Sequence, residues 1–247
     1  MSELLVVDLG TRSYASALEL QRDVARRRIT GEIAEDVLML VEHPPVVTLG
    51  RTAKSNNLIA SPEYLASHGV ELFEVERGGD ITFHGPGQLV GYPVMDLKRH
   101  RKDLHWYLRQ VEEALIQSIE AFGLGGGRVD KYTGVWVEAH RDSRRKIASI
   151  GVHARDWVTW HGFALNVNTD LRYFDLIVPC GISGVTMTSI AREAQLGSVD
   201  MQAVAGEVTR AFGLVFGLTP RTLGATQLQG SACEPGGTEA SAHLRSN

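Results

Sequence analysis

The sequence predicts one α/β (α+β) domain, built on a mixed, largely antiparallel sheet that is flanked by helices. Short β-rich runs outnumber the helical patterns, and the two kinds of segment follow one another in irregular order. No linker composition divides residues 1–224, and a single hydrophobic core can extend over about 250–300 residues. From residue 225 to 247, small and polar residues replace the apolar pattern, so we expect a disordered tail there.

The first half of the chain alternates strand-like runs with two helical patterns. Apolar residues recur at helical spacing over residues 14–28, and the arginines that end this segment suit the negative end of a helix dipole. Ser61 and Pro62 are typical of a helix start and Gly69 of a helix end, so a short helix is predicted over 61–69. Strands are predicted at 4–9, 37–41, 46–49, 70–75 and 89–97.

The second half contains the two clearest amphipathic helices. Apolar residues step by three or four positions over 103–122 and again over 199–216. Between these helices, 134–138 and 146–153 predict the two strands of a hairpin with a polar loop. Residues 162–168 predict a further strand, because Phe, Leu and Val alternate there with smaller or polar residues.

Composition and charge exclude several classes of protein. Hydrophobic residues form 43% of the 247 residues and charged residues 22%, which is typical of a globular chain. No apolar run approaches the roughly 20 residues of a membrane span, and the first residues do not resemble a signal peptide. The formal net charge of -4 lacks the excess of positive charge that is typical of nucleic-acid-binding proteins. Two cysteines, one of them Cys233 in the predicted tail, fit a reducing compartment. We therefore expect a soluble, cytoplasmic protein.

Basic residues form three local clumps, at 26–28, 98–102 and 144–146. Such clumps are commonly solvated faces. They can also form a docking surface that steers an acidic partner toward the protein. Both interpretations remain open from the residues alone.

Residues 77–88 combine glycine and proline with Arg, Thr, His and Gln. The stretch is either an irregular connection or a loop in which glycines let the backbone approach a ligand. It lacks the Gly-Lys-Ser/Thr ending of a phosphate-binding loop and the spaced glycines of a dinucleotide site. The pattern predicts a substrate-binding loop without specifying the ligand.

Cys180 lies between Pro179 and Gly181, which place it at a turn. A lone cysteine is commonly a small buried residue, but at a turn its sulfur can face a cleft. A nucleophilic thiol needs a nearby cation or base, because few thiols are ionised at neutral pH. Lys146, at the start of an apolar strand, could supply that charge if the fold brings it close. A Cys–His pair with His84 is the alternative. No histidine or cysteine spacing indicates a metal site.

These features together resemble the lipoyl(octanoyl) transferases. The family run Arg-Gly-Gly-x-x-Thr-aromatic-His-Gly-Pro-Gly-Gln, followed by Leu-Val-Gly-Tyr-Pro, matches residues 77–93. Its Lys-x-x-Ser-x-Gly, His-Gly-x-Ala-Leu-Asn and Pro-Cys-Gly segments match 146–151, 161–166 and 179–181 in the same order. The resemblance extends over about residues 4–218 and implies that 1–224 form a catalytic domain with the fold of the biotin and lipoate protein ligases.

The resemblance also implies roles for individual residues. Cys180 would be the acyl-thioester nucleophile, and Lys146 would lower its pKa and exchange protons. The implied substrate-binding residues are Arg77, Gly78, Gly79, Asp80, Ile81, Thr82, Phe83, His84, Ser149, Ile150, Gly151, Gly162, Phe163 and Ala164. The tail and Cys233 lie outside the resemblance.

The implied reaction needs no cofactor or metal. An octanoyl or lipoyl group would pass from acyl carrier protein to Cys180 and then to a lysine of a lipoyl domain. The implied acceptors are the E2 subunits of 2-oxoacid dehydrogenases and the H protein of glycine cleavage, and a monomer is expected. Because acyl carrier proteins are acidic, 98–102 or 144–145 could guide docking, which predicts a rate that falls steeply with salt.

Two alternatives stay open at this point. An ATP-dependent lipoate- or biotin-type ligase would share the fold but activate a free acid and not need Cys180. A non-catalytic acyl-binding module would show no turnover and would leave Lys146 near Cys180 without a purpose.

Overall fold

The computed structural model describes residues 2–138, 143–182 and 184–228. Its strands are β1 (Glu3–Thr11), β2 (Asp36–Glu42), β3 (Val46–Leu49), β4 (Glu71–Glu74), β5 (Ile81–His84), β6 (Gln88–Val94), β7 (Gly126–Val129), β8 (Tyr132–Val137), β9 (Arg145–Arg155), β10 (Val158–Asn166), β11 (Thr186–Met187) and β12 (Thr219–Thr222). Its helices are α1 (Tyr14–Thr30), α2 (Pro62–Ser67), α3 (Leu104–Glu120), α4 (Ile190–Glu193), α5 (Met201–Phe216) and α6 (Ala225–Leu228). Short 3₁₀ turns lie at Ser55–Asn57, Leu171–Leu176 and Pro179–Gly181.

A large sheet with the strand order β12-β1-β2-β6-β10-β9-β8-β7 forms the centre of the molecule. The pairs β12–β1 and β1–β2 are parallel, and each later pair along this order is antiparallel. The short β11 adds a parallel pair at β9. A smaller sheet, β4-β3-β5, lies beside it. The predicted fold class, a mixed and largely antiparallel sheet with flanking helices, is confirmed.

Helices cover both faces of the large sheet. Val111 and Leu115 of α3 and Phe212 of α5 pack with Phe163 and Leu165 of β10 in one core cluster. On the other face, residues of α1 pack with Ala164 and Trp160 in a second cluster. The alternation predicted for β10 therefore holds, and both of its faces are buried.

Local signals explain the ends of the long helices. The side chain of Ser13 caps α1 by accepting from the N–H of Ser16, and Asp103 caps α3 by accepting from the N–H of Trp106. Gly217 ends α5 at a φ of 66°, in the left-handed region that glycine adopts without strain. Among the described residues, none of the helices combines the length and hydropathy of a bilayer-spanning segment.

The sequence did not predict β7, β11, β12 or α4, and two further differences concern the loop 77–88 and the end of the described chain. Residues 81–84, predicted as part of a loop, form β5, which pairs antiparallel with β3. The chain also stays ordered beyond 225, because α6 places Leu228 against the α1 side of the large sheet with 2% of its surface exposed. The predicted tail therefore begins at least four residues too early, since apolar burial by one leucine is not visible in composition. Residues 229–247, including Cys233, lie outside the described residues.

Candidate active site

Cys180 lies in a strained turn that is tied to neighbouring segments. Its φ is 57° and its ψ is 17°, a left-handed conformation that few residues other than glycine adopt, and Gly181 follows with a φ of 66°. The N–H of Val178 donates to the carbonyl of Asn57 (2.7 Å), and the Asn57 amide donates to Asp80 Oδ2 (2.7 Å). Asn57, which is itself held by Asp80 just before β5, therefore fixes the turn. Strained backbone conformations of this kind persist where neighbouring structure holds them, and they cluster at functional sites.

A β-bulge turns Lys146 toward Cys180. Val135 of β8 pairs with Ala148 of β9, but the next residue, Trp136, pairs with Lys146, so Ile147 is an extra residue in β9. Ile147 and Ala148 both pack in the core cluster that α3 and α5 form on one face of the large sheet. Lys146 and its partner Trp136 point to the other face of the sheet. Only 1% of the Lys146 surface is exposed.

The Lys146 ammonium contacts the Cys180 sulfur directly. Its Nζ donates to Cys180 Sγ at 3.1 Å and to the carbonyl of Thr133 at 3.1 Å, and Ser149 Oγ lies 3.6 Å from the sulfur. Burial raises the pKa of the Cys180 thiol. The charge of Lys146 and the hydrogen bonds from Lys146 and Ser149 outweigh that effect, so the pKa lies below its usual value. The arrangement favours a thiolate, the nucleophilic form of cysteine.

A cavity of about 570 Å³ opens beside this pair. Its volume falls within the roughly 300–1,000 Å³ of small-molecule sites. Strands β6, β9 and β10 contribute its lining on one side, and β5 with the preceding loop contributes on the other. Of the residues predicted for the site, the following line it: Arg77, Gly78, Gly79, Asp80, Ile81, Thr82, His84, Lys146, Ser149, Ile150, Gly151, Gly162, Phe163, Ala164 and Cys180.

Phe83 is the predicted site residue that does not line the cavity. Only 1% of its surface is exposed, and its ring stacks on Tyr173 with 4.6 Å between ring centroids. A Cβ on Gly85 would come within 2.5 Å of the Phe83 ring, so the ring also fills the space under the next turn. Its neighbours Thr82 and His84 line the cavity, because successive residues of a strand point to opposite faces. A role for Phe83 in binding substrate stays a prediction.

His84 lines the cavity but does not pair with Cys180. Its Nδ1 donates to Gln88 Oε1 at 2.9 Å, and its Nε2 lies 3.5 Å from Thr48 Oγ1. Burial, together with the charge of His43 nearby, lowers the pKa of His84 to about 3. The contacts of the sulfur are with Lys146 and Ser149, so the alternative Cys–His pair is wrong.

The guanidinium of Arg77 is buried against uncharged oxygens. Its Nη2 donates to the Thr48 carbonyl (2.7 Å) and hydroxyl (2.9 Å), and its Nη1 donates to the Asp80 carbonyl (2.8 Å). Its charge therefore remains available to the cavity, where it also lowers the pKa of Cys180. Gly151 makes room for this arrangement, because a Cβ there would lie 2.7 Å from the Gly78 carbonyl oxygen.

The cavity has polar aromatic residues that the sequence analysis did not assign to the site. Tyr14, Tyr92 and His161 line it, and Tyr92 bonds through its hydroxyl to His43 at 2.7 Å. Tyr92 and His161 lie inside the motifs that carry the family resemblance, which was the available signal. Tyr14 lies outside those motifs, and no local sequence pattern marks it as a cavity residue, because its position depends on how α1 packs against the sheet.

A half-buried thiolate beside an ammonium, at the wall of a cavity, can form a covalent intermediate with an electrophilic carbonyl. Among the described residues, no group of three or more His, Cys, Asp or Glu side chains could hold a metal ion. The described side chains thus place a nucleophile and an adjacent ammonium at the cavity.

Comparison with known proteins identifies the family of this chain. A family model, the lipoyl protein ligase A/B catalytic domain, matches residues 13–213. The octanoyltransferase of Acidobacterium capsulatum is 49% identical over 223 residues, which cover 87% of this chain and 90% of that protein. The octanoyltransferase of Rubrobacter xylanophilus is 51% identical over 203 residues, which cover 80% and 88%.

Solved structures share the fold at low sequence identity. A bipartite lipoate protein ligase from Thermoplasma acidophilum, studied with its E2 lipoyl domain, superposes with a TM-score of 0.72 at 18% identity, covering 93% of this chain and 89% of that chain. A lipoate-protein ligase A bound with ATP gives 0.71 at 19% identity, covering 93% and 91%.

Proposed function

Because the chain belongs to the family of lipoyl protein ligase A/B catalytic domains, we propose that this acyltransferase moves an octanoyl or lipoyl group from acyl carrier protein to a lysine of a lipoyl domain. The observation that carries the proposal is the 3.1 Å contact between Lys146 Nζ and Cys180 Sγ at the cavity. An ATP-dependent ligase would have no use for this pair, whereas thioester exchange requires an ionised thiol.

In the first half of the reaction, the Cys180 thiolate attacks the carbonyl carbon of the carrier thioester. The new carbon–sulfur bond forms, the bond to the carrier sulfur breaks, and the leaving thiolate takes a proton from the Lys146 ammonium. One thioester replaces another, so no ATP or cofactor is needed. The cavity lined by Arg77 to Thr82, His84 and the facing strands would hold the acyl chain away from water.

In the second half, the amine of the acceptor lysine attacks the Cys180 thioester. A carbon–nitrogen bond forms, the carbon–sulfur bond breaks, and the now neutral Lys146 accepts a proton from the incoming amine. The step restores the thiolate and the ammonium. We expect the acceptors to be lipoyl domains of E2 subunits and the H protein, and the enzyme to act as a monomer in the cytoplasm.

The decisive experiment is an intact-mass measurement after mixing the protein with octanoyl-loaded acyl carrier protein, without ATP. We expect one octanoyl adduct that hydroxylamine removes and that the Cys180→Ser variant lacks. If no adduct forms, and acyl transfer occurs only with ATP and free octanoate, the protein is a ligase. If neither condition gives transfer, an acyl-binding module is the correct description.

Lys146→Arg separates the two proposed roles of the lysine. A guanidinium keeps the positive charge beside Cys180 but does not give up its proton in proteins. We therefore expect the thiol to stay reactive toward an alkylating reagent while turnover falls by about 10²–10⁴-fold. Single-turnover kinetics with the octanoylated protein measure the amide-forming step. An unchanged rate of that step would remove Lys146 from the proton transfer.

A further inference from the structure

The indole ring of Trp136 lies beneath the Lys146 ammonium. Nζ is over the ring, 5.3 Å from its centroid, and the two residues face each other as a registered pair on β8 and β9. Trp136 is 2% exposed, so the contact is shielded from water. An aromatic face attracts a cation within about 6 Å through the negative charge of its π system, and tryptophan does so most strongly.

The backbone around this pair is shaped to admit it. Gly134 has a φ of 130°, and a Cβ at this position would lie 2.7 Å from Lys146 Cε. The bulge at Ile147 puts Lys146 on the same side of the sheet as Trp136. The lysine side chain therefore passes over Gly134, with the ring on one side and the Cys180 sulfur at its end.

The indole N–H provides a second, independent observation. Trp136 Nε1 is buried and has no hydrogen-bond partner among the described residues. An unpaired buried donor is unfavourable, and a phenylalanine or leucine would fill a packing position without it. The tryptophan is thus costly as a core residue, and its remaining distinctive property is the strength of its π face.

We propose that Trp136 is a positioning residue that holds the Lys146 ammonium against the Cys180 sulfur and thereby keeps Cys180 as a thiolate. The ring attracts the ammonium and not the neutral amine. It therefore stabilises the charged side chain that contacts the sulfur and gives no such stabilisation to the neutral one. Two of the three N–H groups of Lys146 donate to Thr133 and Cys180. The inference rests on the proposed function, but its test needs no acyl donor.

The test compares the alkylation rate of Cys180 by iodoacetamide across pH in the full chain with Cys233→Ser, which removes the second thiol. Trp136→Leu should raise the apparent pKa of Cys180 by about 0.4–1.5 pH units, the equivalent of one cation–π contact. Trp136→Phe should shift it less. Equal shifts in both variants, or none, would overturn the proposal.

A double-mutant cycle separates the effect of the Trp136 π face on the pKa of Cys180 from the effect of its packing. In a Lys146→Met background no ammonium lies over the Trp136 ring, so Trp136→Leu should leave the pKa of Cys180 unchanged. The other charged groups near the thiol, Arg77 and Asp80, are untouched by these substitutions. The same shift with and without Lys146 would show that Trp136 acts through structure alone.

Fluorinated tryptophan keeps the test decisive if Trp136→Leu does not fold. Biosynthetic incorporation at all four tryptophans weakens the ring charge stepwise with little change in shape. The pKa of Cys180 should rise with each added fluorine. A pKa that does not respond to fluorination would contradict the proposal even if the leucine variant is unfolded. Octanoyl transfer is measured separately, so failure of the proposed reaction would not be confused with failure of this contact.

Discussion

His43 and His84 are buried in the neutral form beside the cavity. Burial lowers the pKa of His43 to about 4, and burial together with His43 lowers that of His84 to about 3. Their bonds fix the tautomers: His43 Nδ1 donates to the Arg12 carbonyl, so its Nε2 accepts from the Tyr92 hydroxyl. His84 Nδ1 donates to Gln88 in the same way. These rings hold the cavity wall as uncharged hydrogen-bonding groups.

We therefore predict that acid destabilises the protein through these histidines. A histidine in the unfolded chain has a pKa of about 6.5, so below that value the unfolded chain binds more protons than the folded one. Stability that is fully present above about pH 6.5 is lost as the pH falls toward 4, by about 1.4 kcal/mol per pH unit for each ring. Urea unfolding at about pH 7, 6 and 5 measures the slope.

His43→Gln should reduce this slope by less than half, because burial also lowers the pKa of His161, and it lowers stability at every pH. His68→Gln is the matched control, because His68 is exposed and its replacement should leave the slope unchanged. A slope that is the same in all three proteins would place the acid sensitivity elsewhere in the molecule.

At the scale of elements, the bulge in β9 and the glycine in β8 decide where Lys146 points. Gly134 combines a φ of 130° with close neighbours, since a Cβ would lie 2.5 Å from the Ala148 carbonyl oxygen and 2.7 Å from Lys146 Cε. Side chains other than hydrogen are strained at this φ. Gly134 is thus required both by its backbone conformation and by the path of the lysine.

Gly134→Ala should therefore lower stability by about 1–3 kcal/mol and displace the ammonium from the sulfur. A displacement of about 1 Å at a reacting group can reduce the rate about 10²-fold, and we expect a loss of that order. The measurements are urea unfolding and the alkylation profile of Cys180.

The control is Gly123→Ala, at a φ of 76° with no atom within 4 Å of a Cβ. It should lose stability through backbone strain alone and keep the thiol as reactive as in the parent. Equal losses of thiol reactivity in the two variants would contradict the steric role of Gly134.

The elements show why some features could be predicted from sequence and others could not. The helix α3 was predicted within two residues at each end, because its apolar spacing and the Asp103 cap are local signals. The strand β5 was missed because its four residues lie inside a glycine-rich stretch. The Lys146–Cys180 contact was expected only by resemblance, since it depends on a bulge and a turn that no local pattern specifies. Trp136 and Thr133 were missed for the same reason.

At the scale of the whole molecule, the last described helix closes one face of the large sheet. Leu228 is 2% exposed and packs in the cluster that α1 covers, and its carbonyl accepts from Arg27 Nη1 at 2.6 Å. The last described residues thus return to the first helix, and this contact joins residues that are about 200 positions apart.

Leu228→Ala should lower the free energy of unfolding by about 2–5 kcal/mol, toward the lower value because a terminal helix can relax. Leu214→Ala is the matched control, since 64% of the Leu214 surface is exposed and its removal should change stability by less than about 0.5 kcal/mol. Urea denaturation compares the two. A near-zero effect of Leu228→Ala would mean that α6 does not contribute to the fold in solution.

Most basic side chains of the three clumps form ion pairs with carboxylates of the same protein. Arg28 is buried against Asp36, which also holds His100 at 2.7 Å. The remaining pairs in these clumps are Arg26 with Asp23 and Glu32, Arg27 with Asp23 and Glu32, Arg28 with Asp96, Lys98 with Asp96, Arg101 with Asp103, and Arg145 with Glu138 and Glu193. Lys102 and Arg144 are exposed. Paired charges produce little field at a distance, so these clumps are poorly suited to steer an acidic carrier.

The structure consequently reverses the expectation of a steep salt dependence. Steering by a strong field changes association rates by about 10–10³-fold. With the clumps paired and a net charge of -4, kcat/KM for octanoyl transfer should fall by less than about tenfold between about 50 and 500 mM salt. Charge reversal by Lys102→Glu with Arg144→Glu tests two of the exposed cations in these clumps and should reduce the rate only modestly at low salt. A loss of more than about a hundredfold with salt, abolished by that double substitution, would restore these clumps as the docking surface.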